Sequence, residues 1–155
     1  MPPGGGTTNE PRDHLLPLTS YRSPLTMNVI GVGIDLVDIH RVVEMLDRRE
    51  EQALTKLLTP AEREFVLAQP VPARHVAARI AAKEAVYKAL QALPDARAIA
   101  WHDMEVLRSE HGRPSIKLHG VAERLDKQHG PLLIELSLSH SEMTAGAVAV
   151  VGTAR

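Results

Sequence analysis

The chain has 155 residues and no cysteine, which is enough length for one domain with a buried core and excludes disulfides. Its 18 Lys and Arg balance 19 Asp and Glu, so the net charge of −1 provides no general attraction to nucleic acid or to an anionic membrane. One Trp, two Tyr and one Phe offer little for base stacking, and no apolar run approaches the ~20 residues of a membrane span. We therefore expect a cytoplasmic protein with neither a nucleic acid nor a membrane as partner.

The first 26 residues are rich in proline and contain the triplet Gly4-Gly5-Gly6, a composition typical of disorder. Met27 directly precedes the first apolar segment and is a candidate functional start. We expect residues 1–26 to be a dispensable extension and residues 27–155 to form a single domain. The eight histidines show no paired metal-ligand spacing, so a bound metal would take oxygen ligands.

The segment 29–39 predicts the first strand, and it contains Gly31 and Gly33. The alternation places four apolar residues on a face that we expect to be core: Ile30, Val32, Ile34 and Leu36. The glycines share the other face with Asp35. Glycine inside a strand indicates a close approach, and two interpretations stay open. Either a helix packs against the glycines and Asp35 caps the next helix, or the glycines leave room for a ligand.

Three helices are predicted to follow the strand. Asp38 is expected to cap the first helix, which extends to about Leu58. The segment Thr59-Pro-Ala-Glu62 has the pattern of a capping box with proline at the first helical position, so it predicts the start of a second helix. Pro70 and Pro72 are expected to close that helix.

Residues 73–93 form the longest helical pattern, which ends before Pro94. This helix carries four cations against one acid: Arg74, Arg79, Lys83 and Lys88 against Glu84. The excess predicts a face that binds an anion. The alternative is that Glu84 and Lys88, one turn apart, form only a solvent-exposed ion pair.

The remainder of the chain predicts mainly strands. They cover residues 101–107, 115–118, 134–139 and 144–151. A turn is expected at 110–114 and a short helix at 121–128. Helices in the first half and hairpin strands in the second imply an α+β fold, in which a largely antiparallel sheet packs against the long helix.

Asp35 and Glu84 could together supply the one or two carboxylates that Mg²⁺ usually takes from a protein. Phosphate oxygens and water would complete the octahedron, and lysines would balance the remaining phosphate charge. On this interpretation the glycines make room for a pyrophosphate and its metal.

Three segments resemble, in order and spacing, the signatures of the bacterial holo-[acyl-carrier-protein] synthases, which belong to the 4′-phosphopantetheinyl transferase superfamily. They are Gly31-Val-Gly-Ile-Asp35, Arg79-Ile-Ala-Ala-Lys-Glu-Ala-Val-Tyr-Lys88 and Leu136-Ser-Leu-Ser-His140. The resemblance extends from about Met27 to Val151. Ile80 departs from it, because many members have an aromatic residue there, and so does the proline-rich extension.

The resemblance implies a Mg²⁺-dependent transfer of the 4′-phosphopantetheine arm from coenzyme A to a serine of an acidic apo acyl carrier protein. Adenosine 3′,5′-bisphosphate would be released. By motif, Asp35 and Glu84 would bind the metal and Lys88 would lie near the pyrophosphate, so these three are the expected catalytic residues. Glu84, directly or through a metal-bound water, is the candidate base for the serine hydroxyl.

Further residues are expected to contact coenzyme A: Arg79, Lys83, Gly112, Arg113, Pro114, Ser139 and His140. His140 has an alternative role as a turn histidine bonded to nearby backbone. An acidic carrier requires a cationic docking surface, for which Arg41 and Arg48 are the candidates, although Arg41 has an alternative role as an ordinary solvated side chain.

Family members of this size are usually homotrimers with sites shared between subunits, so the resemblance also implies a homotrimer. The glycine strand of one chain would then approach a helix of its neighbour.

Two functions of other classes stay open. One is a non-catalytic module that binds an acidic partner through its arginines and uses Asp35 and Glu84 structurally. The other is a magnesium-dependent nucleotide hydrolase, in which water replaces the serine.

Overall fold

A computed structural model of the protein describes residues 27–154, so the predicted extension at 1–26 lies outside the described residues. The helices and strands, in chain order, are β1 (Met27–Asp38), α1 (Ile39–Leu57), α2 (Pro60–Leu67), α3 (Pro72–Leu90), β2 (Met104–Arg108), β3 (Pro114–Leu118), α4 (Gly120–His129), β4 (Leu132–His140) and β5 (Thr144–Ala154). Short 3-10 turns occupy Ala96–Ala98 and Trp101–Asp103. Within residues 27–154, none of the helices combines the length and the apolarity needed to cross a bilayer.

The strands form two antiparallel sheets, one of three strands in the order β1-β5-β4 and one that pairs β2 with β3. Helix α3 packs across the three-stranded sheet. Its buried residues, from Ala81 to Leu90, share one apolar core with Ala147, Ala149 and Val151 of β5. The predicted α+β fold, with a largely antiparallel sheet against the long helix, is confirmed.

Gly31 and Gly33 allow α3 to approach β1 at backbone distance. A Cβ atom on Gly33 would lie 1.9 Å from the carbonyl oxygen of Ala85, and one on Gly31 would lie 2.0 Å from that of Ala89. Every residue except glycine would therefore push the helix away. The interpretation that a helix packs against the glycines is confirmed, and the helix belongs to the same chain. The expectation that this space holds a pyrophosphate is wrong, because α3 fills it.

The outer face of β1 is apolar and exposed to solvent. The exposed fractions are 55% for Val29, 63% for Val32, 61% for Ile34 and 69% for Leu36. The prediction that the alternating apolar residues face the core is therefore wrong for Val32, Ile34 and Leu36. A shift of register between Val29 and Gly31 turns Ile30 inward, where it packs against the core. The physical reason is that α3 covers the glycine face.

The predicted starts of the first two helices are confirmed. The Asp38 carboxylate accepts a hydrogen bond from the backbone N–H of Arg41, so Asp38 caps α1 and Asp35 does not. Thr59 and Glu62 form the reciprocal capping box of α2.

Three predicted boundaries are corrected. Pro72 occupies the first turn of α3 and does not close α2, and α3 ends at Leu90, before the predicted end at residue 93. The predicted strand at 101–107 starts as a 3-10 turn, because the Asp103 carboxylate accepts a hydrogen bond from the Ala100 N–H at 3.0 Å. The strand begins only after that turn.

Candidate functional site

Lys83 and Glu62 form a fully buried ion pair. The Lys83 Nζ lies 2.7 Å from Glu62 Oε2, and the two side chains are 0% and 1% exposed. The same ammonium donates to the carbonyl oxygens of Leu57, at 2.8 Å, and Trp101, at 3.0 Å. The second carboxylate oxygen of Glu62 accepts from the Val106 N–H at 2.9 Å. One pair thus connects the end of α1, the start of α2, the middle of α3, the Trp101 turn and β2.

Burial lowers the pKa of Lys83, and the Glu62 carboxylate opposes that shift by its charge and its hydrogen bond. The three hydrogens of the ammonium all have acceptors inside the protein, as a buried charge requires. The prediction that Lys83 contacts coenzyme A does not fit this geometry, because the ammonium would reach a phosphate only after these bonds broke.

Arg79 is also buried, with only 5% of its surface exposed. Its guanidinium carbon lies 4.3 Å from the centroid of the Phe65 ring, a cation–π contact, and its Nη1 donates to the carbonyl oxygen of His75. Most of this predicted coenzyme A ligand therefore faces the protein. The predicted anion-binding face of the long helix is wrong as one continuous surface, because Arg79 and Lys83, one turn apart, both point inward.

Asp35 and Lys88 form the ion pair that brings β1 and α3 together at the surface. The Lys88 Nζ lies 2.8 Å from Asp35 Oδ1 and 2.9 Å from the carbonyl oxygen of Ile34. Lys88 is 50% exposed and Asp35 is 18% exposed, so a ligand can reach the pair. The alternative in which Lys88 pairs with Glu84 is wrong for this structure, because Lys88 pairs with Asp35 instead.

Glu84 lies one helical turn before Lys88, about 6 Å along the axis. Its side chain makes neither a hydrogen bond nor an ion pair with another residue among 27–154. Asp35 likewise keeps one carboxylate oxygen without a partner in that part of the chain. In donor type these free oxygens suit Mg²⁺, which takes one or two carboxylates from a protein and completes its shell with phosphate and water. Among the described residues, no group of three or more such ligands converges.

A second group of cations surrounds His75. Burial lowers the pKa of His75, and the charges of Arg79, Arg108, Arg74 and His140 lower it further, in that order of size. The Nε atom of Arg74 is buried without a hydrogen-bond partner in the described part of the chain. Sequence reasoning assigned no role to His75 or Arg108, because the fold alone brings them near the predicted ligand His140.

The predicted glycine–arginine–proline turn is a tight turn before β3. Gly112 has a φ of +79°, which favours glycine, and Pro114 begins the strand. Arg113 Nη2 forms an exposed ion pair with Glu135 Oε2 at 2.5 Å, which links this turn to β4. Ser139 is exposed near the end of β4. The fold thus places Arg113 and Ser139 at the surface, and Arg113 already has a protein partner.

An electropositive groove with a volume of about 840 Å³ follows α1. Its rim carries four cations and one acid: Arg41, Arg48, Arg49, Lys56 and Glu44. Its floor is apolar and includes Met45, Leu57 and Trp101. The predicted docking residues Arg41 and Arg48 therefore lie on one concave surface.

A smaller cavity of about 260 Å³ lies beside Glu84. Tyr87, Ile99, Trp101 and Met104 supply much of its wall. Trp101 lines both this cavity and the α1 groove, a position that no local sequence pattern indicated.

A family model described as the 4′-phosphopantetheinyl transferase superfamily matches residues 31–149. The holo-[acyl-carrier-protein] synthase of Maridesulfovibrio salexigens is 41% identical over 124 residues, which cover 79% of this chain and 98% of the relative. The synthase of Syntrophus aciditrophicus is 40% identical over 123 residues, which cover 79% and 95%. The solved ACPS–CoA complex from Chronobacterium ammoniagenes has a TM-score of 0.68 and 31% identity, and covers 84% of this chain and 99% of that one.

The buried pair generates a stability prediction. Lys83→Met should lower the free energy of unfolding by about 3 to 5 kcal/mol, because it leaves the Glu62 carboxylate buried without a counter-charge. The Glu62→Gln/Lys83→Met double variant should recover part of the loss, since a neutral amide costs less to bury. Urea unfolding followed by circular dichroism, at one protein concentration, measures both.

Lys127 provides the matched control, because its amine forms an ion pair on α4 but is 71% exposed. Lys127→Met should change the free energy of unfolding by less than about 1 kcal/mol. An equally small effect of Lys83→Met would contradict the structural role of the pair.

Proposed function

The chain belongs to the holo-[acyl-carrier-protein] synthases of the 4′-phosphopantetheinyl transferase superfamily, and on this premise we propose that it transfers the 4′-phosphopantetheine arm of coenzyme A to a serine of an acidic apo acyl carrier protein. The observation that carries the proposal is the exposed Asp35–Lys88 ion pair one helical turn from the unpaired Glu84. The Chronobacterium ammoniagenes relative, solved as a CoA complex, supports coenzyme A as the donor.

The proposed chemistry is displacement at phosphorus, which requires positioning and charge neutralisation more than covalent help from the protein. The serine oxygen would form a bond to the phosphorus that carries the pantetheine arm, and adenosine 3′,5′-bisphosphate would leave. Asp35 and Glu84 would hold Mg²⁺, which when bound neutralises charge on the pyrophosphate. Lys88, already oriented by Asp35, would lie against the phosphate oxygens, and Glu84 would accept the serine proton.

The intact mass of an apo acyl carrier protein tests the transfer directly. Incubation with the protein, coenzyme A and Mg²⁺ should add one phosphopantetheine arm to the carrier, and a chelator should prevent the addition. Asp35→Asn and Glu84→Gln should each lower kcat at least about 100-fold, because each removes charge from the reacting phosphate site. Glu123→Gln, on the surface of α4, is the matched control and should leave kcat unchanged.

The same assay separates the other two functions. A nucleotide hydrolase would release product from its substrate without a carrier, and a binding module would retain its function in Asp35→Asn. A carrier whose mass stays unchanged under every condition would contradict the proposed transfer for that carrier.

The α1 groove is the proposed docking surface for the carrier, because its cationic rim complements an acidic protein. Arg41→Glu should raise the Michaelis constant for the carrier by about tenfold or more and that for coenzyme A by less than about twofold. Arg124→Glu makes the same charge change on exposed α4 and should alter neither constant. Equal effects of Arg41→Glu on both substrates would remove Arg41 from the docking surface.

The exposed face of β1 supports a homotrimer as the proposed assembly. Val32, Ile34 and Leu36 are all more than half exposed, and a contiguous apolar surface of this kind marks an interaction site. Ile34→Lys should convert the trimer to monomer in sedimentation velocity, because the buried ammonium would lack a partner. Wild-type protein that sediments as a monomer at micromolar concentration would contradict the assembly.

A further inference from the structure

Trp101 stands between two concave surfaces of the molecule. It forms part of the floor of the α1 groove and part of the wall of the cavity beside Glu84. Within residues 27–154, Trp101 is the only residue that lines both the groove and the cavity. A molecule bound along α1 therefore meets the Glu84 cavity at Trp101.

Hydrogen bonds fix the backbone of Trp101, although the residue lies in the segment that connects α3 to β2. The buried Lys83 ammonium, next in sequence to Glu84, donates to its carbonyl oxygen at 3.0 Å. The 3-10 turn that carries Trp101 is closed at both ends, since the Asp103 N–H donates to the Ala100 carbonyl oxygen and the Ala100 N–H donates to the Asp103 carboxylate. The indole is thus presented from a braced turn, in a fixed relation to α3.

The wall of the cavity combines polar and apolar surface. Tyr87, Ile99 and Met104 supply uncharged surface, and the charge of Lys83 is already compensated by Glu62. Glu84 adds a carboxylate to the wall, so without a bound metal the cavity itself offers a phosphate no unpaired cation. The exposed Lys88 offers the phosphate a better position one turn away.

We propose that Trp101 is a positioning residue for the carrier protein, which aligns a carrier bound in the α1 groove so that its target serine reaches Glu84. A side chain of the carrier, next to that serine, occupies the cavity against the indole. This inference rests on the proposed transferase function. It differs from simple docking because Trp101 then contributes both to the affinity for the carrier and to the rate of the step that follows.

Three alanine variants separate these contributions in steady-state kinetics with coenzyme A and the carrier as substrates. Met45→Ala alters only the groove, Tyr87→Ala alters only the cavity, and Trp101→Ala alters both. Met45→Ala should mainly raise the Michaelis constant for the carrier, and Tyr87→Ala should mainly lower kcat. Trp101→Ala should do both, each by about tenfold, with less than about twofold change in the Michaelis constant for coenzyme A.

Two further variants at Trp101 keep the kinetic test decisive even if the alanine substitution prevents folding. Trp101→Phe keeps an aromatic wall and should restore most of both parameters. If Trp101→Ala does not fold, as judged by circular dichroism and thermal unfolding, Trp101→His replaces it under the same criterion. If Trp101→Ala, or Trp101→His in its place, changes only one of the two parameters, or raises the Michaelis constants for both substrates equally, the proposal is overturned. Wild-type protein that modifies no carrier would instead overturn the proposed function.

The fluorescence of Trp101 gives a direct test of its contact with the carrier, because it is the one tryptophan in the chain. Titration of wild-type protein with apo carrier, without coenzyme A, should shift the wavelength of its fluorescence emission. The shift should saturate, with its midpoint at a carrier concentration close to the Michaelis constant for the carrier. Trp101→Phe provides the blank for carrier fluorescence. Saturable binding by another method, with no change in emission, would place the carrier away from the indole and overturn the inference.

Discussion

The buried Lys83–Glu62 ion pair is the constraint on which the arrangement of this site depends. An ammonium with no exposure needs every donor satisfied, and its three acceptors come from different elements of the chain. Because the pair holds Lys83 inward, the next residue, Glu84, is rotated by about 100° around the helix axis toward the surface. Helix α3 thus buries Lys83 and leaves the neighbouring Glu84 partly exposed.

A second constraint is the close contact between the backbones of β1 and α3, which meet through glycines on the strand and alanines on the helix. The glycines of β1 and the alanines of α3 lack the side-chain atoms that would otherwise hold the helix farther from the strand. The strand therefore delivers Asp35, two residues beyond Gly33, close enough for its carboxylate to bond to Lys88. The glycines serve the site indirectly, since they bring the acid to the helix and leave no room for the ligand itself.

The features that sequence predicted well are local ones. The capping box at Thr59 and the cap at Asp38 are each formed within four consecutive residues, so a pattern in the chain is sufficient to identify them. The partner of Lys83 could not be predicted, because Glu62 lies 21 residues away and its pattern equally suits a solvated helix start. The face of β1 was misassigned for a related reason: alternation separates two faces, but the packing partner decides which one is covered.

The pairing of β1 with β5 has a consequence for how the molecule is made. The first and last strands of the described chain lie side by side, with Met27 opposite Ala154 and Asp38 opposite Thr144, and β5 occupies the centre of its sheet. Strand β1 leaves the ribosome first, so the edge that pairs with β5 has no hydrogen-bonding partner until residues 144–154 emerge from the exit tunnel. Closing so long a loop is entropically costly and slow. The edge of β1 that pairs with β5 therefore stays unpaired until the residues between the two strands have been synthesised.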